Sequence, residues 1–328
     1  MKSKALLAAT AFAGIMGSAG TTLAQDTPTV AVVAKVGGIP WFNAMETGIE
    51  QMGEKLGVKA YMIGPTSADP TLQVRAIEDL IARGVEVIGV VPNDREALEP
   101  VLKKARDQGI IVLTNESPNS ENIDYDFEMI SAQQLGEKHA KLLAETTGCE
   151  GSYGVYVGGL NVPAHNAWAD AAINWLNENC QGLTQAADRF GVAESVDDSR
   201  STTLDLIRAH QDLAGIMSFG SQGTIGAARA VKERGLAGDI AVLGLFSPSQ
   251  GRRLVHEGVI TGGFQWSPLE AGKAFVALGD MLLDGEEITD GDELPVLGEI
   301  KLEGKTIYAS KPLELNENTV DELAEQGL

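Results

Sequence analysis

The chain is poor in cysteine, histidine, aromatic residues and positive charge. Among 328 residues there are two Cys, four His and 25 Lys plus Arg against 46 Asp plus Glu, which leaves a formal net charge of −21. Nucleic acids and anionic lipid surfaces are held by basic footprints, so neither is expected as a partner. The balance says little about a small ligand, because one pocket can differ in sign from the surface around it. Cys149 and Cys180 have no C-x-x-C spacing and no neighbouring His, so they do not read as metal ligands. G-x-S-x-G, H-E-x-x-H and P-loop spacings are also missing. The nearest dinucleotide-like run, Gly220 to Gly226, has the wrong spacing and position. His139, His210 and His256 fall in helical patterns without ligand spacing and read as solvated surface positions. No catalytic residue, metal or cofactor is expected, and an enzyme is the weaker reading.

Residues 1–24 stand apart from the rest. Lys2 and Lys4 precede a short apolar run, and small residues end it at Leu23-Ala24. This is the pattern of a secretory signal, with cleavage expected after Ala24. The run is interrupted by Gly14, Gly17 and Gly20 and is too short for a stable membrane span. No Cys follows it to carry a lipid. Loss of Lys2 and Lys4 takes the formal charge from −21 to −23. The expected compartment is the periplasm, whose oxidising conditions permit the single possible pairing, Cys149–Cys180.

Beyond the leader, strand and helix patterns alternate. Runs rich in Val and Ile lie at 29–36, 58–64, 85–92 and 109–115, with helical patterns at 41–56, 70–83 and 94–107 between them. Nearly continuous apolar strands are covered on both faces, and strand–helix–strand repetition makes a parallel sheet. The scheme repeats, with strands at 153–158, 185–192, 214–219, 240–246 and 259–265. Helices follow at 132–146, 164–179, 200–210, 222–235, 248–257 and 268–283. The expected fold class is therefore α/β, with two doubly wound parallel-sheet lobes. A polar, turn-rich segment at 116–131 reads either as the first hinge crossing or as a surface loop with an edge strand. The division expected is 25–127 plus 267–295 for the N-terminal lobe and 128–266 plus 296–315 for the C-terminal lobe. A last helix in 316–328 follows an Asn318 cap.

Several segments resemble a known family. They are Val30-Ala31-Val32-Val33-Ala34-Lys35, Pro40-Trp41-Phe42, Pro65-Thr66, Ile111-Val112-Leu113-Thr114 and Ala132-Gln133-Gln134-Leu135-Gly136. In this order and spacing they resemble type I periplasmic sugar-binding proteins of ABC importers. The likeness is to the ribose-, rhamnose- and autoinducer-2-binding branch, the last group above all. It implies two lobes joined by a multi-crossing hinge that close on a ligand, and it covers essentially the whole mature chain.

Ligands of doubly wound sheets lie beyond the C-terminal strand ends, which selects the candidates. The resemblance implies that Lys35 contacts ligand and that Trp41 and Phe42 stack on it or shield it. At the end of the fourth strand, Asn115 and Glu116 stand where the family often has an Asp. In the second lobe, His165 and Asn166 lie where the autoinducer-2 group has an Asp-Gln pair and ribose binders an Arg, so this loop has lost its charge. Phe219, Ser221, Phe246 and Trp266 complete the expected ligand contacts. Each position also has a plainer packing, capping or surface role open to it. Trp168 reads as core. The reading is a monomeric solute-binding protein that passes a small sugar-like ligand to an inner-membrane ABC permease. The alternative is a periplasmic sensor for an autoinducer-2-like signal. A related fold serves DNA-binding repressors, but those need a helix-turn-helix and a basic face.

Overall fold

The structure is a computed structural model that describes residues 27–328. The expected leader, 1–24, lies outside the described residues. The first sheet is built from β1 (Thr29–Val33), β2 (Lys59–Ile63), β3 (Val87–Val90), β4 (Ile111–Asn115) and β5 (Tyr125–Glu128). Between its strands run α1 (Pro40–Leu56), α2 (Pro70–Arg83) and α3 (Arg95–Asp107). β1 illustrates why this order folds. Val30 and Val32 point into a cluster with Phe42, Met45 and Phe275, whereas Ala31 and Val33 point into another with Ile77, Leu80, Leu98 and Leu102. The two-residue period of a strand thus feeds two helical layers, and both faces of the sheet are buried.

The second sheet contains β6 (Gly151–Val157), β7 (Leu183–Gln185), β8 (Phe190–Gly191), β9 (Leu213–Ser218) and β10 (Ala241–Gly244). Its order is β10-β9-β6-β7, all parallel, with β8 also pairing to β6. Its helices are α4 (Ala132–Thr147), α5 (Pro163–Asn179), α6 (Val196–Ala209), α7 (Ser221–Arg234) and α8 (Pro248–His256). The region read as one strand at 185–192 is broken into β7 and β8. α6 starts at Val196, earlier than the pattern suggested, because the Ser195 side chain accepts the Asp198 N–H as its cap. A disulfide joins Cys149 to Cys180, with Cα atoms 5.1 Å apart, and ties the end of α4 to the end of α5.

The tail corrects one expectation. It comprises β11 (Gly263–Gln265), α9 (Pro268–Leu283), β12 (Glu293–Leu294), β13 (Gly298–Glu299), β14 (Lys301–Glu303), β15 (Thr306–Tyr308), β16 (Leu313–Leu315) and α10 (Val320–Glu325). The sequence pattern puts residues 296–315 in the second lobe. Instead β15 pairs parallel with β5 and β14 pairs antiparallel with β15, giving the first sheet the order β14-β15-β5-β4-β3-β1-β2. The physical reason is the open edge of β5, whose backbone groups must find partners. β16 crosses back, pairing antiparallel with β11, and α10 follows it to pack in the second lobe's core. The chain therefore passes between the lobes three times, after β5, β11 and β15. The first and third passages run side by side, with Ala309 N–H donating to the Glu128 carbonyl and Lys311 N–H to that of Met129, each at 2.9 Å. The cap of α10 is Thr319 rather than Asn318. Among the described residues, no helix is long and apolar enough to cross a membrane.

Candidate functional site

The parallel strands of both lobes point their C-terminal ends at the space between them, where the ligand sites of such sheets form. From the first lobe, Lys35 follows β1, Trp41 and Phe42 occupy the first turn of α1, and Glu116 follows β4. From the second, His165 and Trp168 sit in the first turns of α5, Glu194 precedes the α6 cap, and Phe219 and Ser221 follow β9. These nine residues, with Ile39, Gly220 and Leu245, line one narrow cavity of about 20 Å³, room for little more than one water molecule.

Its polar centre crosses from lobe to lobe. The Lys35 ammonium donates to Glu116 Oε2 and lies 2.7 Å from His165 Nε2. His165 Nε2 is 3.8 Å from Glu116 Oε2 and 3.9 Å from Glu194 Oε1. Lys35, Glu116 and His165 are 2–3% exposed, so this is a desolvated cluster rather than a surface ion pair. Burial, then the Lys35 charge, hold His165 well below the usual imidazole range, so the ring is neutral. Burial raises the Glu194 carboxyl; the Lys35 charge opposes this and the Glu116 charge adds to it.

The supports of this cluster are also polar and buried. Asn93 Nδ2 donates to the Lys35 carbonyl at 2.8 Å. Gln73 Nε2 donates to the carbonyls of Ala34 and Val91, and its Oε1 accepts the Asn93 N–H. One glutamine therefore ties the ends of β1 and β3 to α2. Glu116 takes the left-handed conformation, φ 64°, a costly one for a residue with a Cβ. An aromatic wall stands behind the ion pair. Trp266 packs edge-on against Trp41 at 5.4 Å and Trp168 at 5.2 Å, and Trp168 stacks on His165 at 5.1 Å.

Of the expected contacts, Lys35, Trp41, Phe42, Glu116, His165, Phe219 and Ser221 line the cavity. Four do not. Asn115 stays in the sheet, where its Nδ2 donates to the Phe127 carbonyl at 2.7 Å. Asn166 braces its own loop, donating to the carbonyls of Gly159 and Val162 and accepting from Arg189. Phe246 packs in the second lobe's core, with its ring against Gly251. Trp266 buttresses the wall from behind.

Three readings need correcting. Trp168, assigned to the core, also lines the cavity: it is three residues after His165 and shares its helix face. The second lobe is not without charge, since Glu194 supplies a carboxyl; its position at a strand end before a helix was the available signal. His139 is fully buried, not solvated. Its Nδ1 contacts the Leu135 carbonyl at 3.0 Å and its Nε2 accepts the Phe264 N–H at 3.1 Å. Among the described residues, no group of three or more His, Cys, Asp or Glu could hold a metal ion. A larger hollow of about 650 Å³ lies over the crossings, lined among others by Gln133, Gln134, Glu299 and Tyr308. It is wide open and lies outside the cleft between the sheets.

Residues 30–287 match the profile of the periplasmic binding protein domain. The chain belongs to that family. It is 26% identical to the ribose import binding protein RbsB of Salmonella typhimurium, over 81% of this chain and 88% of that protein. It is 24% identical to the D-ribose/D-allose-binding protein of Pseudomonas aeruginosa, over 67% and 70%. The fold matches an ABC transporter solute-binding protein of Clostridium phytofermentas with bound L-rhamnose at a TM-score of 0.84, 23% identity and 92% and 99% coverage of the two chains. It also matches LsrB of Clostridium saccharobutylicum in complex with AI-2, at 0.83, 18% identity and 90% and 99% coverage. The two-lobed α/β fold expected from the strand–helix pattern is the fold of this family.

Proposed function

We propose that the protein is a periplasmic solute-binding protein that captures one small, neutral, sugar-like ligand between its lobes and presents the closed form to an ABC permease. The carrying observation is the buried Lys35–Glu116–His165 cluster, which takes its charge pair from one lobe and its imidazole from the other, inside aromatic walls from both. A polyol offers hydroxyls that donate and accept together, and flat aromatic faces cover its C–H surfaces. Because each lobe supplies part of the site, ligand favours the closed state over the open one. The cavity is too small for a sugar beside the Lys35 side chain as it stands, so entry requires the lobes to part and Lys35 to yield. The relatives named for ribose, ribose/allose and L-rhamnose support this class. The role is capture rather than catalysis, by a monomer.

The test is a thermal-shift screen of the purified mature chain against pentoses, hexoses, deoxysugars, polyols and furanone-type signals, followed by calorimetry. One class should raise the melting temperature and bind at one site per chain. A screen in which no compound stabilises the protein would sink the reading.

A further inference from the structure

A neutral imidazole has one N–H and one lone pair. Both nitrogens of His165 face donors. The Gly158 backbone N–H points at Nδ1 from 2.9 Å, and Lys35 Nζ lies 2.7 Å from Nε2. The Gly158 amide is fixed by the backbone and takes the lone pair, so the ring hydrogen sits on Nε2. There it confronts an ammonium that can only donate. His139, in the same lobe, shows the matched case, with one ring nitrogen on a carbonyl and the other on an N–H. Stacking on Trp168 holds the His165 ring in place. An acceptor oxygen between Lys35 and His165 would turn two opposed donors into two hydrogen bonds.

Glu194 lies beside that point, its Oε1 3.9 Å from His165 Nε2 and its side chain 9% exposed. Gly158 makes the convergence possible. A Cβ there would stand 2.9 Å from Glu194 Oε1 and 3.0 Å from His165 Nδ1.

We propose that His165 and Glu194 form the second lobe's specificity pair: His165 joins Lys35 in donating to one ligand oxygen, and Glu194 accepts the hydrogen of a hydroxyl on that carbon or the next. The site then selects a neutral vicinal diol and rejects sugar acids, because a ligand carboxylate would meet Glu116 and Glu194 against a single ammonium. The inference rests on the reading of the cleft as a sugar site. The neutral state of His165 fits it, since an imidazole donor, unlike an imidazolium, adds no charge to balance.

The experiment compares D-ribose, L-rhamnose, D-tagatose and D-fucose, with D-galacturonate as the acidic counterpart of D-fucose. Wild type, Glu194→Gln, His165→Ala and Gly158→Ala are titrated by calorimetry, each first shown to melt cooperatively without sugar. For any sugar the wild type binds, His165→Ala loses one hydrogen bond and Glu194→Gln exchanges a charged acceptor for a weaker neutral one, so each should weaken affinity about 10- to 100-fold. Gly158→Ala keeps every donor and acceptor and should weaken affinity by pressing the two side chains apart. D-galacturonate should not bind. In ¹⁵N spectra His165 should carry its proton on Nε2 near pH 7. Sugar binding by the wild type with unchanged affinity in Glu194→Gln and His165→Ala overturns the pair while leaving the sugar reading intact. D-galacturonate binding as well as D-fucose, or an Nδ1–H or charged His165, also overturns it. Wild type that binds none of the sugars removes the sugar reading and the pair together.

Discussion

Helices α1 and α9 meet backbone to backbone, and the sequence permits this only because two residues lack a side chain. A Cβ on Gly48 would lie 2.0 Å from the Leu269 carbonyl oxygen, and one on Gly272 would lie 2.1 Å from the Met45 carbonyl oxygen. Carbon and carbonyl oxygen settle at about 3.3 Å or more, so Gly48→Ala must drive the helices roughly 1.3 Å apart. Both obstructing atoms are backbone, which cannot swing aside. Overpacking of this kind costs about 1–3 kcal/mol, and the better helix propensity of Ala returns up to about 1 kcal/mol. A net loss of roughly 1–2 kcal/mol is expected for Gly48→Ala, and the same for Gly272→Ala. Gly279→Ala on the same α9 is the control. Its Cβ would meet only side-chain atoms of Val87 and Val30, the nearest at 3.1 Å, so its stability should stay within about 1 kcal/mol of wild type. The strain also has a functional readout. Trp41 and Phe42 ride on the first turn of α1, so its displacement should alter near-ultraviolet circular dichroism from the Trp41–Trp266 pair and weaken sugar binding. Urea unfolding of the three variants decides the matter. If Gly48→Ala is as stable as Gly279→Ala, the helices do not approach as described.

Replacing Cys149 and Cys180 together by Ser opens a loop with a sequence separation of 31, which loop entropy values at about 3–4 kcal/mol; a urea midpoint unchanged from wild type would contradict that. Burial lowers His139 from 6.5 to about 4. Its folded value is depressed, so its stabilisation, about 3 kcal/mol, is present above pH 6.5 and drains away as pH falls through about 4; His139→Gln should flatten the acid limb of stability against pH. Burial has the opposite effect on Asp126, raising it from 3.8 to about 7. The folded state prefers the proton, so this group's contribution to stability is greatest below pH 3.8 and is lost as pH rises through about 7. Asp126→Asn keeps an acceptor for the Thr114 hydroxyl and the Ser117 N–H and should raise the urea midpoint at pH 8 more than at pH 4; an equal effect at both would refute the assignment.

The parts of the fold legible in the sequence are those whose stabilisation is local. Val30 to Val33 and Val87 to Val90 announce strands because their apolar runs suit two buried faces, and the helical patterns at 70–83 and 94–107 match α2 and α3, whose starts the structure shows to be held by the Asp69 and Asp94 side chains accepting N–H groups of the first turn. The sequence misplaces β14 and β15 for the complementary reason. Lys301–Glu303 and Thr306–Tyr308 are short, partly polar segments, and nothing in them names the distant edge of β5 as their partner. Pairing over such a separation is set by which edge remains open, a property of the assembled sheet.

The site divides along the same line, and adjacent residues show it best. Asn115 and Glu116 stand together at the end of β4 and read as equal candidates. Asn115 remains in the pleat and bonds Phe127 of the next strand. Glu116 turns into the left-handed region and swings its carboxyl to Lys35. Sequence locates a strand end to within a residue or two, but the next side chain's direction depends on one backbone angle that the surroundings impose. The same holds for Glu194. Its carboxyl comes within 3.9 Å of His165 because β8 ends early and Gly158 leaves room, two facts held in different segments of the chain. Position relative to strand ends can therefore nominate residues for this cleft. Choosing among them requires the backbone that aims them, and that backbone replaces an apparently uncharged second lobe with one that carries a carboxyl.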